Sequence, residues 1–174
     1  MTLPRKVIYF GLAVIIFIFV LLLLYFFLSN FNQYKSAHFT LKTNGWVAGV
    51  QNVTQGELII FKPKGQSQTE NYPNLTISYD PNPSLSVEEK ITPFTSLGFV
   101  RSTTTLGGLT AIKLTGTFPY KVVNGNPIQS PVQETVILLE KGNVQYQIEY
   151  FYDGANVDLK QETVFTKMVD SVQL

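Results

Sequence analysis

Apolar positions along this chain fall into three spacings, and each predicts a different kind of element. The first is continuous: residues 7–28, from Val7 to Leu28, carry no charge and are mostly Leu, Ile, Val and Phe. At about 1.5 Å per residue this run makes a helix of roughly 33 Å, enough to cross a bilayer core. Arg5 and Lys6 stand just before it. Positive charge beside a span favours the cytoplasmic side, so residues 1–6 are expected inside and the rest of the chain outside.

The second spacing has period two. Glu57 to Lys62 (ELIIFK) is a compact strand candidate, and Leu75, Ile77 and Tyr79 alternate with Thr76, Ser78 and Asp80 before Pro81 and Pro83. Phe99–Leu106 and Leu109–Tyr120 flank Gly107-Gly108, a pair suited to the positive φ angles of a two-residue hairpin. Pro131–Lys141 runs through Gly142-Asn143 into the clearest strand, where Val144, Tyr146, Ile148, Tyr150 and Tyr152 alternate with Gln145, Gln147, Glu149 and Phe151. Asn44-Gly45 and Asn124-Gly125 mark further turns.

The third spacing is helical. Ser86 followed by Glu89 is a capping-box pattern, and Val87, Ile91 and Phe94 continue it. Pro93 predicts that this helix is short or bent, because an internal proline costs about 3 kcal/mol. A longer helix is expected over 156–169, capped by Asn156, with Val157, Val164, Phe165, Met168 and Val169 mostly on one face. Ser171–Leu174 then adds an edge strand or frays. Six or seven strands with two helices make an α+β fold, an antiparallel β-sheet flanked by helices.

The apolar run reads as a retained anchor. It exceeds the roughly 7–15 apolar residues of a cleaved leader. The nearest cuts leave Phe27 or Lys35 where a small residue is needed, no cysteine follows for lipidation, and no early carboxylate marks a prepilin. Four stretches result: 1–6 cytoplasmic, 7–28 transmembrane, 29–37 linker, and 38–174 an extracytoplasmic domain. About 135 residues beyond the anchor suffice for one core. A net charge of +1 without a block of like charge argues against nucleic acid as partner. Zero cysteines exclude disulfides, thiolate metal sites and cysteine nucleophiles.

Gly45-Trp46, the stretch from Thr103 to Gly116 (TTTLGGLTAIKLTG), Gln145–Tyr152 (QYQIEYFY) and Val164–Val172 (VFTKMVDSV) occur in an order that resembles the PsbP/Mog1-like superfamily. The resemblance covers nearly the whole exported part and implies an α/β/α sandwich. Family members are mostly binding or assembly factors without catalytic chemistry, found at photosynthetic membranes, on bacterial lipoproteins and bound to a small GTPase. No ligand motif of the family maps onto residues of this chain.

Candidate chemistry is sparse. The single histidine, His38, falls at the start of the exported domain and is expected to be a solvated linker residue. One imidazole cannot form a metal shell, and Asp80, Glu88, Glu89 and Asp153 show no calcium-loop spacing. Glu88 and Glu89 instead suit a helix N-terminus. Gly107-Gly108 lacks a phosphate-loop lysine, Lys113 lying too far along the next strand. Asn52-Val53-Thr54 and Asn74-Leu75-Thr76 match the N-glycosylation pattern.

Two function classes remain. A non-catalytic binding or assembly module would use aromatic side chains, and Trp46, Tyr72, Phe118, Tyr120 and Phe151 are the candidate contact surface. Phe151 is also expected to be buried if both faces of the sheet are covered. Such a module needs no catalytic residue, cofactor or metal. Its partners would be the bilayer, through residues 7–28, and another membrane or envelope protein or component. The alternative is a hydrolase of cell-envelope polymers resting on Glu134, Glu140 or Glu149, which lie on neighbouring strands.

Overall fold

The computed structural model describes residues 14–25, 32–53, 56–66, 74–118, 121–123, 126–128, 131–153 and 159–174. The chain divides into two units, 1–33 and 34–174. In the first, residues 14–25 are helical (α1), and every side chain along them is exposed, from Val14 at 40% to Tyr25 at 74%. The predicted span 7–28 extends at both ends outside the described residues. Among the described residues, no helix is long and apolar enough to cross a membrane.

Among the described residues, the second unit is built on a seven-stranded antiparallel sheet. Its strands are β3 (Trp46–Val53), β4 (Gly56–Pro63), β5 (Asn74–Asp80), β6 (Val100–Leu106), β7 (Leu109–Phe118), β10 (Val132–Lys141) and β11 (Val144–Asp153), in the order β3-β4-β5-β11-β10-β7-β6. Two small ribbons accompany it: β1 (Gln33–Lys35) with β2 (Thr40–Lys42), and β8 (Lys121–Val123) with β9 (Asn126–Ile128). Helix α2 (Val87–Ser96) and helix α3 (Leu159–Asp170) complete it.

Alternation along β10 shows how the two faces are used. Ile137 and Leu139 join the larger core with Phe165, Met168 and Val169 of α3, while Val136 and Leu138 join Ile91, Phe99 and Leu114 under α2. Odd and even positions of one strand point to opposite faces, so α2 and α3 cover opposite sides. On the α3 side the register aligns Ile59, Ile77, Ile148 and Ile137 across four strands, and none of the four is more than 2% exposed. Each such side chain contributes about 1.5–3 kcal/mol of burial.

Local signals act as expected in several places. Gly107 and Gly108 both have positive φ, at 56° and 80°, and turn β6 into β7. Ser86 and Glu89 form the full capping box at the start of α2. Helix α2 continues through Pro93 to Ser96. Pro93 lies on the exposed side, where solvent can take the hydrogen bond that the Glu89 carbonyl loses.

Other expectations change. Part of the predicted 29–37 linker is strand β1, and the ribbon it starts is pinned by Phe39 and Leu41, 3% and 1% exposed. Strand β3 is an addition, paired along its length with β4. Helix α3 begins in the described residues at Leu159, and Asn156 and Val157 lie outside them. The final residues make a single bridge, Gln173 with Thr40. Asn74 is 7% exposed, so its glycosylation pattern is sealed in the folded sheet, and the side chain of Asn52 lies outside the described set.

Candidate functional site

The aromatic residues do not gather where the sequence placed them. Trp46 and Phe151 are each 6% exposed, which corrects their reading as contact residues and agrees with the burial expected of Phe151 in a sheet covered on both faces. Trp46 opens β3 on the α3 side and joins the larger core; Phe151 lies on the opposite side, facing register partners Glu134 and Asn74. Tyr72, Tyr120 and the side chain of Phe118 lie outside the described residues.

A different aromatic group forms at the corner where β1 and β2 cross the sheet. Register places Glu57 of β4, Tyr79 of β5 and Tyr146 of β11 side by side on three adjacent strands. Directly opposed residues share a face, so the three side chains stand in one row on the α3 side. Gly56 lets β4 approach there: a Cβ at that position would sit 2.1 Å from the Tyr79 carbonyl oxygen.

The turn between β1 and β2 brings two more rings to this row. Ser36 locks it, its hydroxyl accepting hydrogen bonds from the backbone amides of His38 and Phe39 at 3.1 Å each. The Ser36 amide donates to the Phe39 carbonyl at 2.9 Å. With Phe39 turned into the core, His38 faces the sheet and its ring lies 4.2 Å from that of Tyr79. The Tyr146 hydroxyl donates to the His38 carbonyl at 3.4 Å. Tyr34 meets Phe61 edge-on, with ring centres 5.3 Å apart. His38 is therefore half-buried and in tilted ring contact with Tyr79, a correction to its reading as a solvated linker residue. The short turn places it on the domain rather than before it.

The electrostatics of the corner favour neutral phenols. Burial raises the pKa of Tyr34, Tyr79 and Tyr146 above the usual 10.0, with the Glu57 carboxylate adding to the first two and Tyr79 to Tyr34 and Tyr146. The corner thus presents the protonated hydroxyls of Tyr34 and Tyr79, the Glu57 side chain, an imidazole and partly open ring faces, while the Tyr146 hydroxyl is buried on the His38 carbonyl. Such a surface can stack on an apolar face and hydrogen-bond its polar rim. Tyr34, His38, Glu57 and Tyr79 are all half-buried, so part of each meets solvent.

The three candidate carboxylates share the α2 side of the sheet. Glu134 is 3% exposed and opposes Phe151, while Glu149, half-buried, opposes Val136. Glu134 and Glu149 are therefore diagonal neighbours, a relation of about 7–8 Å between strands. The Gln147 amide donates to Glu149. Glu140 stands apart, about 20 Å along β10 from Glu134. It is exposed and accepts from Gln145 Nε2 at 3.1 Å, an amide that also donates to the Leu85 carbonyl at 2.9 Å. Glu88 makes a bidentate pair with Arg101 at 2.6 and 2.8 Å on the surface, where solvent screens it. Among the described residues, no group of three His, Cys, Asp or Glu could hold a metal ion.

Sequence reasoning missed the corner because it needs the register of three strands and a tight turn at once. One signal was available: Tyr79 and Tyr146 already lay on the apolar face of their alternations.

No protein-family model and no curated protein matches the sequence. Among solved structures, the chain resembles a protein from Bacteroides thetaiotaomicron VPI-5482 at 12% identity and a TM-score of 0.53, over 82% of this chain and 47% of that one. The chain thus spans about half the length of that protein, and the likeness is one of fold alone. A second structure, LpqN involved in cell envelope biogenesis of Mycobacterium tuberculosis, aligns at 14% identity over 74% of this chain and 78% of its own, with a TM-score of 0.40.

Proposed function

We propose that the chain is a membrane-anchored, extracytoplasmic binding or assembly module, without catalytic chemistry of its own, that works near the outer face of the membrane. The observation that carries this reading is the tyrosine corner: Tyr34, His38, Glu57 and Tyr79 converge from three strands and a turn and remain partly open, over a buried Tyr146 that holds the turn through the His38 carbonyl. Its chemistry suits an envelope component or envelope protein that offers an apolar face with hydroxyl or amino groups at its rim. The anchor over 7–28 is supported by the uncharged apolar run and the Arg5-Lys6 pair, and the PsbP/Mog1-like reading by helices on both faces of an antiparallel sheet. Tethering would raise the effective concentration of partners in or near the bilayer.

One observation favours the second reading, a carboxylate-dependent hydrolase of envelope polymers. Glu134 and Glu149 are diagonal neighbours, which puts two carboxyl side chains on one face of adjacent strands.

Paired variants separate the two. In the full chain in its membrane, Tyr34→Ser with Tyr79→Ser should abolish partner capture while Glu134→Gln and Glu149→Gln leave it intact, each variant checked for an unchanged melting temperature. Turnover of an envelope glycan, lost in the Glu→Gln variants and kept in the tyrosine ones, would overturn the binding reading.

A further inference from the structure

Among the described residues, strand β6 is an edge of the sheet, bonded to β7 alone. Its turn to β7 has positive φ at both glycines, the two-residue hairpin in which the flanking residues, Leu106 and Leu109, exchange backbone bonds. Bonded and non-bonded pairs alternate from there. The amides and carbonyls of Leu106, Thr104, Ser102 and Val100 therefore face β7, and those of Arg101, Thr103 and Thr105 face outward.

Edge strands usually carry a guard: a lysine, a proline, a bulge or a covering element. β6 (VRSTTTL) has no lysine or proline, and its register with β7 is unbroken over all seven residues. Its one charge, Arg101, is already engaged by Glu88 of α2. Val100 is 66% exposed, the largest exposure of any apolar side chain described within the sheet. Leu97, just before the strand, is 56% exposed and Leu109, just after the hairpin, 38%.

We propose that β6 pairs antiparallel with β6 of a second copy, about a two-fold axis at Thr103. The strand is complementary to itself in that alignment. Arg101 falls opposite Thr105, so no like charges meet, and threonines and serine oppose one another through the middle. Val100 falls opposite Leu106. The exposed Leu97–Val100 end of one copy then lies along the Leu106–Leu109 end of the other. That end borders a groove of about 420 Å³, lined in part by Thr105, Gly108, Val172 and Leu174. Both exposed apolar ends are covered at once, as an isologous interface requires. A peptide from another protein would find no charge on the strand left to select it.

The chain has no cysteine, so an introduced one reports without interference. Thr103→Cys puts two thiols at the axis, and mild oxidation of the full chain in its membrane should convert most of it from 19.6 kDa to twice that mass on a non-reducing gel. Leu159→Cys, on the exposed side of α3, should remain monomeric. Thr103→Pro removes an outward amide while sparing the ladder to β7, so in detergent it should be folded by circular dichroism and monomeric by sedimentation, where the parent chain is dimeric. The proposal is overturned by a monomeric parent chain, by equal crosslinking at 103 and 159, or by a Thr103→Pro chain that stays dimeric. Crosslinking from position 103 to a different protein overturns it as well and assigns the edge to that partner.

Discussion

Replacing Phe165 with alanine tests how α3 is held to the sheet. Phe165 is 7% exposed, and its ring lies over that of Tyr150 on β11, with centres 4.2 Å apart and planes within 8°. Tyr150 is itself 2% exposed, and Met168 and Val169 fill the space beside the pair. Truncating a buried phenylalanine costs about 3–5 kcal/mol, lost transfer energy and residual cavity together. Here the loss belongs in the upper half of that range, since an aromatic pair adds about 0.5–1.5 kcal/mol beyond area. Against a usual domain stability of about 5–15 kcal/mol, this is a large share. For a domain of this size each kcal/mol lowers the melting temperature by about 3–4 °C, so a fall of roughly 12–20 °C is expected. The assay is thermal and urea unfolding of the full chain in detergent, followed by tyrosine fluorescence, beside Leu159→Ala on the same helix. Leu159 is 72% exposed, and its truncation should change stability by less than about 0.5 kcal/mol. A Phe165→Ala loss below about 1 kcal/mol, or equal losses at the two sites, would refute the packing, because a ring stacked in a closed core cannot be removed that cheaply.

Three further outcomes follow from particular contacts. Gly116→Ala should destabilise by about 1–3 kcal/mol, since a Cβ there would lie 2.4 Å from the Phe99 ring, and a Phe99→Leu second change should recover part of it in the same melts. Ser86→Ala removes the acceptor for the Glu89 amide and should cost about 1 kcal/mol by urea unfolding, with Ser86→Gly costing less. Stability should fall as pH rises past about 10, because the unfolded tyrosines release protons there while Tyr34, Tyr79 and Tyr146, with raised pKa, still hold theirs. Tyr79→Phe should flatten that slope in urea titrations at successive alkaline pH values.

Elements whose local signals agreed with their tertiary setting were legible in the sequence. The β10–β11 hairpin alternates cleanly across Gly142, the Ser86–Glu89 box caps α2, and the glycine pair joins β6 to β7. Strand β3 was not legible, because Gly49, Gln51 and Asn52 interrupt its pattern and it becomes a strand by pairing with β4. Strand β1 is three residues long and exists through its ribbon with β2, whose Phe39 and Leu41 anchor the corner from positions no period marks. Alternation named the two faces of β11 but not what covers them, so Phe151 was open to both readings until its burial was known. The tyrosine corner depends on register between β4, β5 and β11, which residue spacing within one strand does not contain.

The central claim is that this corner is where the module meets its partner, and photocrosslinking from position 79 tests it most directly. A photoreactive phenylalanine analogue replaces Tyr79 in the full chain, and the same analogue at Leu159 serves as control. After illumination of intact membranes, the account predicts one defined envelope species captured from position 79, absent at 159 and lost when Tyr34 is also changed to serine. Equal capture from both positions, or a defined species taken only from 159, would contradict it.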